Sequence, residues 1–240
     1  ILQLAEEFDL KVIEDAAHAV GAEYDGEKCG SLGDIGCFSF FSNKNMTSGE
    51  GGMVTTNSEE LAEKLRLMRS HGMTTLTLER HKGHAHSYDV VDLGYNYRID
   101  EMRSAMGLVQ LAKLERNNKK RKEIVDLYQK TLAGVSRVGV PFTNPCGASS
   151  YHIFPVLLDA DVNRDKLIEW LKERGIQSSI HYPPIHLFDF YRQNFGFMEG
   201  LLPITEDVVK RELTLPLYPS MSAQDVQYVC DAIAEYLTLS

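Results

Sequence analysis

The chain has 240 residues, 43% of them hydrophobic and 25% charged, enough for one large or two ordinary soluble domains around a buried core. Its net charge of −9 argues against nucleic acid as the main partner, because a phosphate backbone calls for a basic face. No apolar run approaches a bilayer span, no signal segment opens the chain, and Cys29, Cys37, Cys146 and Cys230 have no paired spacing; reduced thiols, a cytoplasmic setting and no membrane partner are expected.

The segment Ile1–Phe8 has apolar residues at helical spacing but no capping residue before it. The chain is therefore expected to begin inside a helix and to lack an N-terminal part. Lys11–Asp15 reads as a short strand ending on an acid, and Ile35–Phe41 as a second strand. Gly49, Gly51 and Gly52 make a glycine-rich turn without the spacing of a P-loop, and a third strand follows over Gly52–Thr56. Asn57 or Ser58 is expected to cap a helix with Leu61, Leu65 and Met68 on one face, closing at Ser70-His71-Gly72.

The polar stretch Thr74–Asp92 is predicted to be a functional loop. It contains His81, His84 and His86, but no carboxylate or thiol at convincing metal-ligand spacing, so no metal is expected. Asp100 should cap a long helix with Met102, Ala105, Met106, Val109 and Leu114 on its buried face. The basic run Arg116–Lys122 reads as a solvated helix face. Clustered Pro and Gly over 138–147 suggest a boundary, dividing the chain into 1–140 and 141–240. Beyond it, Tyr151–Leu158 reads as a strand. Asn163 opens a helix with Leu167, Ile168 and Leu171 inward and Gly175 as its stop. Ile176–His181 reads as another strand. Ser222 with Asp225 forms a capping box for the last helix.

Three of these elements carry groups that belong together chemically. Asp15 ends a strand, Ser39 lies in the next, and Lys44 sits in the polar turn beyond it. Pyridoxal phosphate needs a lysine to bond its aldehyde, a carboxylate for its pyridinium nitrogen and donors for its phosphate. Each residue alone has a plainer reading: a solvated lysine, an acid capping a turn, a locally bonded serine.

Four segments resemble one family: "IEDAAHAVGAEYDGEKCGSLGDIGCFSFFSNKNMTSGEGGMVTT", "LGYNYRIDEMRSAMGLVQL", "YHIFPVLL" and "IHYPPIH". They are similar to the DegT/DnrJ/EryC1 sugar aminotransferases, which have the fold-type-I aspartate aminotransferase architecture. The resemblance implies an α/β fold. Residues 1–140 would be the remaining part of the large mixed-sheet cofactor domain with a long connecting helix, and 141–240 a small C-terminal α/β domain. The part of the family that normally supplies a phosphate-binding turn and a ring-stacking aromatic has no counterpart here.

The resemblance also implies roles. Lys44 would be the catalytic lysine that bonds pyridoxal 5'-phosphate, and Asp15 the anion at the pyridine nitrogen. His18 would stand near the phenolic oxygen, where relatives often have glutamine, and Ser39 at the phosphate. Asn96, with Arg98 behind it, would reach the partner subunit's cofactor phosphate, so a homodimer with shared sites is expected. His181 and Arg98 would lie near the substrate, with His186 beyond the two prolines. The implied reaction moves an amino group, from an amino-acid donor such as glutamate, to a keto group of a nucleotide-linked sugar. A cyclitol ketone as acceptor, or a non-catalytic interaction module, are the alternatives. A related dehydratase carries histidine at the lysine position, so Lys44 argues against it.

Overall fold

The computed structural model describes residues 1–74, 88–143 and 146–239. His81, His84 and His86 lie outside the described residues. The chain forms two compact units, Ile1–Glu115 with Cys146–Ser150, and Arg116–Pro145 with Tyr151–Ser240. The boundary expected at residue 140 falls instead inside a helix. The second half of that helix contributes Ile124, Val125, Tyr128 and Leu132 to the core of the second unit, and burial decides which unit owns it.

In chain order the first unit contains α1 (Leu2–Glu7), β1 (Ile13–Asp15), β2 (Glu23–Tyr24), β3 (Glu27–Lys28), β4 (Ile35–Ser39), β5 (Gly52–Thr55) and α2 (Glu59–Met68). The 32-residue α3 (Glu101–Leu132) then runs from the first unit into the second. The rest comprises β6 (Val138–Gly139), β7 (Gly147–Ala148), β8 (Phe154–Leu158), α4 (Arg164–Glu173), α5 (Asp189–Phe195), α6 (Pro203–Arg211), β9 (Glu212–Leu215) and α7 (Ala223–Leu239). A single 3-10 turn, Ile185–Leu187, precedes α5.

β1 pairs parallel to β4, placing Asp15 opposite Cys37, and β4 pairs antiparallel to β5, placing Ser39 opposite Gly52. β7 pairs antiparallel to β2, returning the 146–150 segment to the first unit. α2 starts as expected, with Ser58 Oγ accepting from the Leu61 amide at 3.3 Å. Glu59 and Glu60 stand in its first turn, where acids oppose the positive end of the helix dipole.

Asp100 also caps as expected, accepting from the Arg103 amide at 2.8 Å. The buried face predicted for α3 is corrected. Leu114 is buried, but Met102 is 82% exposed, Met106 48% and Val109 54%. Apolar periodicity marks a face that favours burial without saying what covers it. The basic run needs a correction too. Arg121 is buried, and its guanidinium donates to the Leu217 carbonyl at 2.8 Å.

The second unit is built on the antiparallel sheet β6-β8-β9. Phe154, Val156 and Leu158 alternate inward along β8 and meet Leu167 and Leu171 of α4 and Val226, Cys230 and Ile233 of α7. Tyr128 stacks on Phe154 with ring centroids 4.7 Å apart, and its hydroxyl donates to the Pro216 carbonyl at 3.0 Å. Asn163 caps α4 through the Lys166 amide at 3.0 Å, and Gly175 follows at φ +72°, a left-handed stop. The capping box opens α7. Ser222 Oγ accepts from the Asp225 amide at 3.1 Å, and Asp225 accepts from the Ser222 amide at 2.8 Å. The strand expected over Ile176–His181 reduces to one bridge, Ser179 to Thr214 on the outer edge of β9.

Candidate active site

The two acids at the end of β1 have different fates, because consecutive strand residues point to opposite faces. Glu14 turns into the loop before β4. It accepts from the amides of Gly30 at 2.7 Å, Leu32 at 2.7 Å and Gly33 at 2.8 Å. Burial acts to raise its pKa, but these three amides together hold it below the usual carboxylate range. Asp15 is exposed and accepts only from the nearby Ala17 amide, at 3.1 Å, among the hydrogen bonds described.

β1 and β4 are adjacent and parallel, so Asp15 and Ser39 both stand at carboxyl ends of the first sheet. That edge is where open α/β sheets bind ligands. Ser39 is half-buried, and its hydroxyl accepts from the Phe41 amide at 3.4 Å. The chain then makes a loop closed at its base, with Phe40 N–H to the Gly51 carbonyl at 2.8 Å and Ser48 N–H to the Phe40 carbonyl at 2.9 Å. Gly51 sits at φ +146°, and a Cβ there would lie 2.6 Å from Ser48 Oγ. A side chain at that position would push the loop open.

Lys44 lies within this loop, half-buried, with its amide bonded to the Phe41 carbonyl at 3.0 Å. Partial burial pulls its ammonium below the usual lysine range, while the Asp15 carboxylate pulls the other way. Lys44 and Asp15 are therefore within electrostatic range of each other. Together they make an amine biased toward its nucleophilic form beside an anion held at a sheet edge.

Two further residues hold this arrangement in place. Asn45, next to Lys44, is buried and donates from Nδ2 to the Ser150 carbonyl at 2.6 Å. Ser150 Oγ donates to the His18 carbonyl at 2.6 Å. The returning segment thus ties the His18 turn to the Lys44 loop. Neither Asn45 nor Ser150 was picked out from sequence, because their partners lie 105 and 132 residues away along the chain.

Asn96 and Arg98 are exposed at the start of the tract leading to α3. Asn96 bridges to Ser70 through the backbone, and Arg98 Nη1 reaches Ser70 Oγ at 3.4 Å. His181 belongs to the second unit, as does His186, whose Nε2 lies 2.9 Å from Glu206 Oε1 in a buried pair. Among the described residues no group of three His, Cys, Asp or Glu is placed to hold a metal ion, and no described helix is long and apolar enough to cross a membrane.

Residues 1–234 match the model of the DegT/DnrJ/EryC1/StrS aminotransferase family. The chain belongs to that family. Among curated relatives it is 35% identical over 239 residues to the Campylobacter jejuni UDP-4-amino-4,6-dideoxy-N-acetyl-beta-L-altrosamine transaminase, covering 99% of this chain and 61% of the transaminase. Among solved structures, Helicobacter pylori PseC, an aminotransferase involved in pseudoaminic acid biosynthesis, superposes with a TM-score of 0.90. It is 30% identical, with 99% of this chain and 62% of PseC covered. A Streptococcus pneumoniae relative solved in a PLP-form superposes with a TM-score of 0.87 at 29% identity, covering 98% and 60%. The fold is therefore the α/β fold of fold-type-I transferases, and the chain spans about 62% of the length of these family members.

Proposed function

We propose that this protein is a pyridoxal-phosphate-dependent aminotransferase that moves an amino group from an amino acid, glutamate foremost, to the keto group of a nucleotide-linked sugar. The observation that carries this reading is Lys44, held in a closed loop within electrostatic range of Asp15 at the carboxyl ends of β1 and β4. The available groups fit the cofactor: an amine with a lowered pKa, an anion for a protonated ring nitrogen, and the Ser39 hydroxyl for a phosphate. Pyridoxal phosphate, when bound, supplies the aldehyde and the electron-accepting ring.

In this reading Lys44 would hold the cofactor through its aldehyde, and its free amine would carry a proton to and from the reacting carbon of the substrate. Asp15 keeps the ring nitrogen protonated. His18 would donate to the phenolic oxygen, and Ser39 would bind the phosphate. Asn96, backed by Arg98, serves the partner subunit's phosphate site, and His181 contacts the substrate. The nucleotide-sugar acceptor is supported by the Campylobacter jejuni relative, whose name is that of a UDP-amino-sugar transaminase. The free thiols of Cys29, Cys37, Cys146 and Cys230 fit a reducing cytoplasm.

The test is a coupled assay of the full-length protein with pyridoxal phosphate, glutamate and a UDP-linked keto sugar. Amino sugar and 2-oxoglutarate should form in equal amounts. Transfer only to a cyclitol ketone would reassign the acceptor. Failure to transfer to any carbonyl, with no cofactor absorbance, would leave a non-catalytic module instead.

The protein is further proposed to be a homodimer with shared sites. The open apolar face of α3, with Met102, Met106 and Val109, supports this, as does the prevalence of two-fold dimers. Sedimentation equilibrium should give twice the chain mass. With subunit exchange, mixed inactive Lys44→Ala and Asn96→Ala chains should recover up to about a quarter of wild-type activity. A monomer at working concentration ends the idea.

A further inference from the structure

The register between β1 and β4 sorts the side chains of the first sheet by face. Glu14 pairs with Gly36 and Asp15 with Cys37. Asp15 therefore shares its face with Ser39, and Glu14 shares the other face with Gly36 and Phe38. On that second face the 30–33 turn offers three amides to the Glu14 carboxylate. Oε1 accepts from Leu32 at 2.7 Å and Gly33 at 2.8 Å, and Oε2 accepts from Gly30 at 2.7 Å. The turn has its own anchors. The Gly30 carbonyl accepts from Thr55 Oγ1 on β5 at 2.5 Å, and the Asp34 amide donates to the Val12 carbonyl at 2.9 Å. Gly33 packs so closely that a Cβ there would lie 2.7 Å from the Val12 carbonyl oxygen.

β1 needs such a hold. It is three residues long, and β4 is its one strand partner among the described residues. It carries two adjacent carboxylates, Glu14 and Asp15, and alternation lets only one of them face the ligand edge. A slip of one residue would exchange them, because the side-chain period of a strand is two. The turn decides between them. Its three amides form a concavity that takes an anion, and emptying it would leave those donors unsatisfied. With Glu14 seated there, Asp15 stays on the Ser39 face and exposed. With Glu14 removed, the next carboxylate along the strand able to fill the concavity is Asp15 itself.

We propose that Glu14 is a positioning residue whose bonds to the 30–33 turn hold Asp15 on the same sheet face as Ser39, at the edge where the cofactor would bind. This rests on the cofactor role proposed for Asp15. Glu14 acts through Asp15 and not by its own charge, because Asp15 is the one charged group that acts on Lys44 among the described residues. Any effect of Glu14 on Lys44 must then pass through the placement of its neighbour.

The experiment titrates Lys44 in the cofactor-free full-length protein, by nuclear magnetic resonance of isotope-labelled lysine side chains, with Lys44 assigned by its loss in Lys44→Arg. Glu14→Gln keeps one acceptor oxygen, enough for the Leu32 and Gly33 amides, but turns an amino group toward the Gly30 amide. Asp15 pulls the Lys44 midpoint upward against burial, so displacing Asp15 should lower it. Glu14→Gln should therefore shift the midpoint down, and Glu14→Ala should shift it by most of the change seen in Asp15→Asn. Should Glu14→Ala not fold, as judged by circular dichroism, Glu14→Gln carries the test with two of its three bonds kept. Placed beside Asp15→Asn, either substitution should move the midpoint no further, because the two residues act as one unit. A midpoint unmoved in the folded Glu14 variants overturns the proposal, as does a shift that persists in full beside Asp15→Asn. The midpoints are read without cofactor. A coupled Glu14–Asp15 shift in a protein that forms no cofactor adduct would thus refute the aminotransferase reading and keep the Glu14 assignment.

Discussion

Replacing Lys44 with alanine should abolish turnover of the full-length protein while leaving its fold unchanged. The side chain is only half-buried and lies outside both hydrophobic cores, so truncation opens no cavity. What is lost is the amine. Removing a positioned proton carrier costs roughly 10²–10⁴ in rate, and losing covalent attachment of the cofactor adds to that. Borohydride treatment followed by intact mass measurement reads the attachment directly. The wild type should gain the mass of a reduced cofactor adduct, and Lys44→Ala should not. Because burial lowers the Lys44 pKa, the neutral amine is present at lower pH than for an ordinary lysine. Adduct formation in the wild type should therefore rise with pH through a midpoint below the usual lysine range. A Lys44→Ala rate within tenfold of wild type would sink the assignment.

Asp15→Asn should weaken cofactor binding and slow turnover strongly, and it separates two roles. If Asp15 merely caps the turn at Ala17, asparagine keeps an oxygen to accept that amide, and little changes. If its charge matters, the loss is large. A charge pair cut on one side, once a bound ring covers it, costs about 3–5 kcal/mol. A second readout follows from the sign of the coupling. Asp15 pulls the Lys44 pKa upward against burial, so removing it should move the Lys44 midpoint further down. Unchanged cofactor affinity and an unmoved midpoint would return Asp15 to a structural role.

Much of the secondary structure was legible because its signals are local. Ser58, Asp100, Asn163 and the Ser222–Asp225 pair all cap the helices they precede. A cap and the amide it serves are three residues apart, so the chemistry is written in one short stretch. Where sequence reading failed, the partner was distant or absent from the pattern. Arg121 looked solvated because the carbonyl that takes it inward belongs to Leu217, 96 residues on. The apolar stripe at Met102, Met106 and Val109 was correctly seen as a stripe and wrongly placed inside. Ile176–His181 has strand composition, but only Ser179 finds an edge to pair with. At the candidate site, Lys44 and Asp15 are singled out by their motif, and the roles proposed for them rest on it. Nothing near Asn45 announced Ser150.

The tie made by Ser150 has a consequence for the order in which the molecule is made. The Lys44 loop and the His18 turn lie about 105 and 132 residues ahead of the residue that joins them. Until that residue has been synthesised, the two turns have local bonds but lack this shared brace. Closing loops of 105 and 132 residues is entropically unfavourable and slow compared with capping a helix. The brace is therefore expected to form late in folding, after the sheet that carries Asp15 and Ser39 has its strands in register.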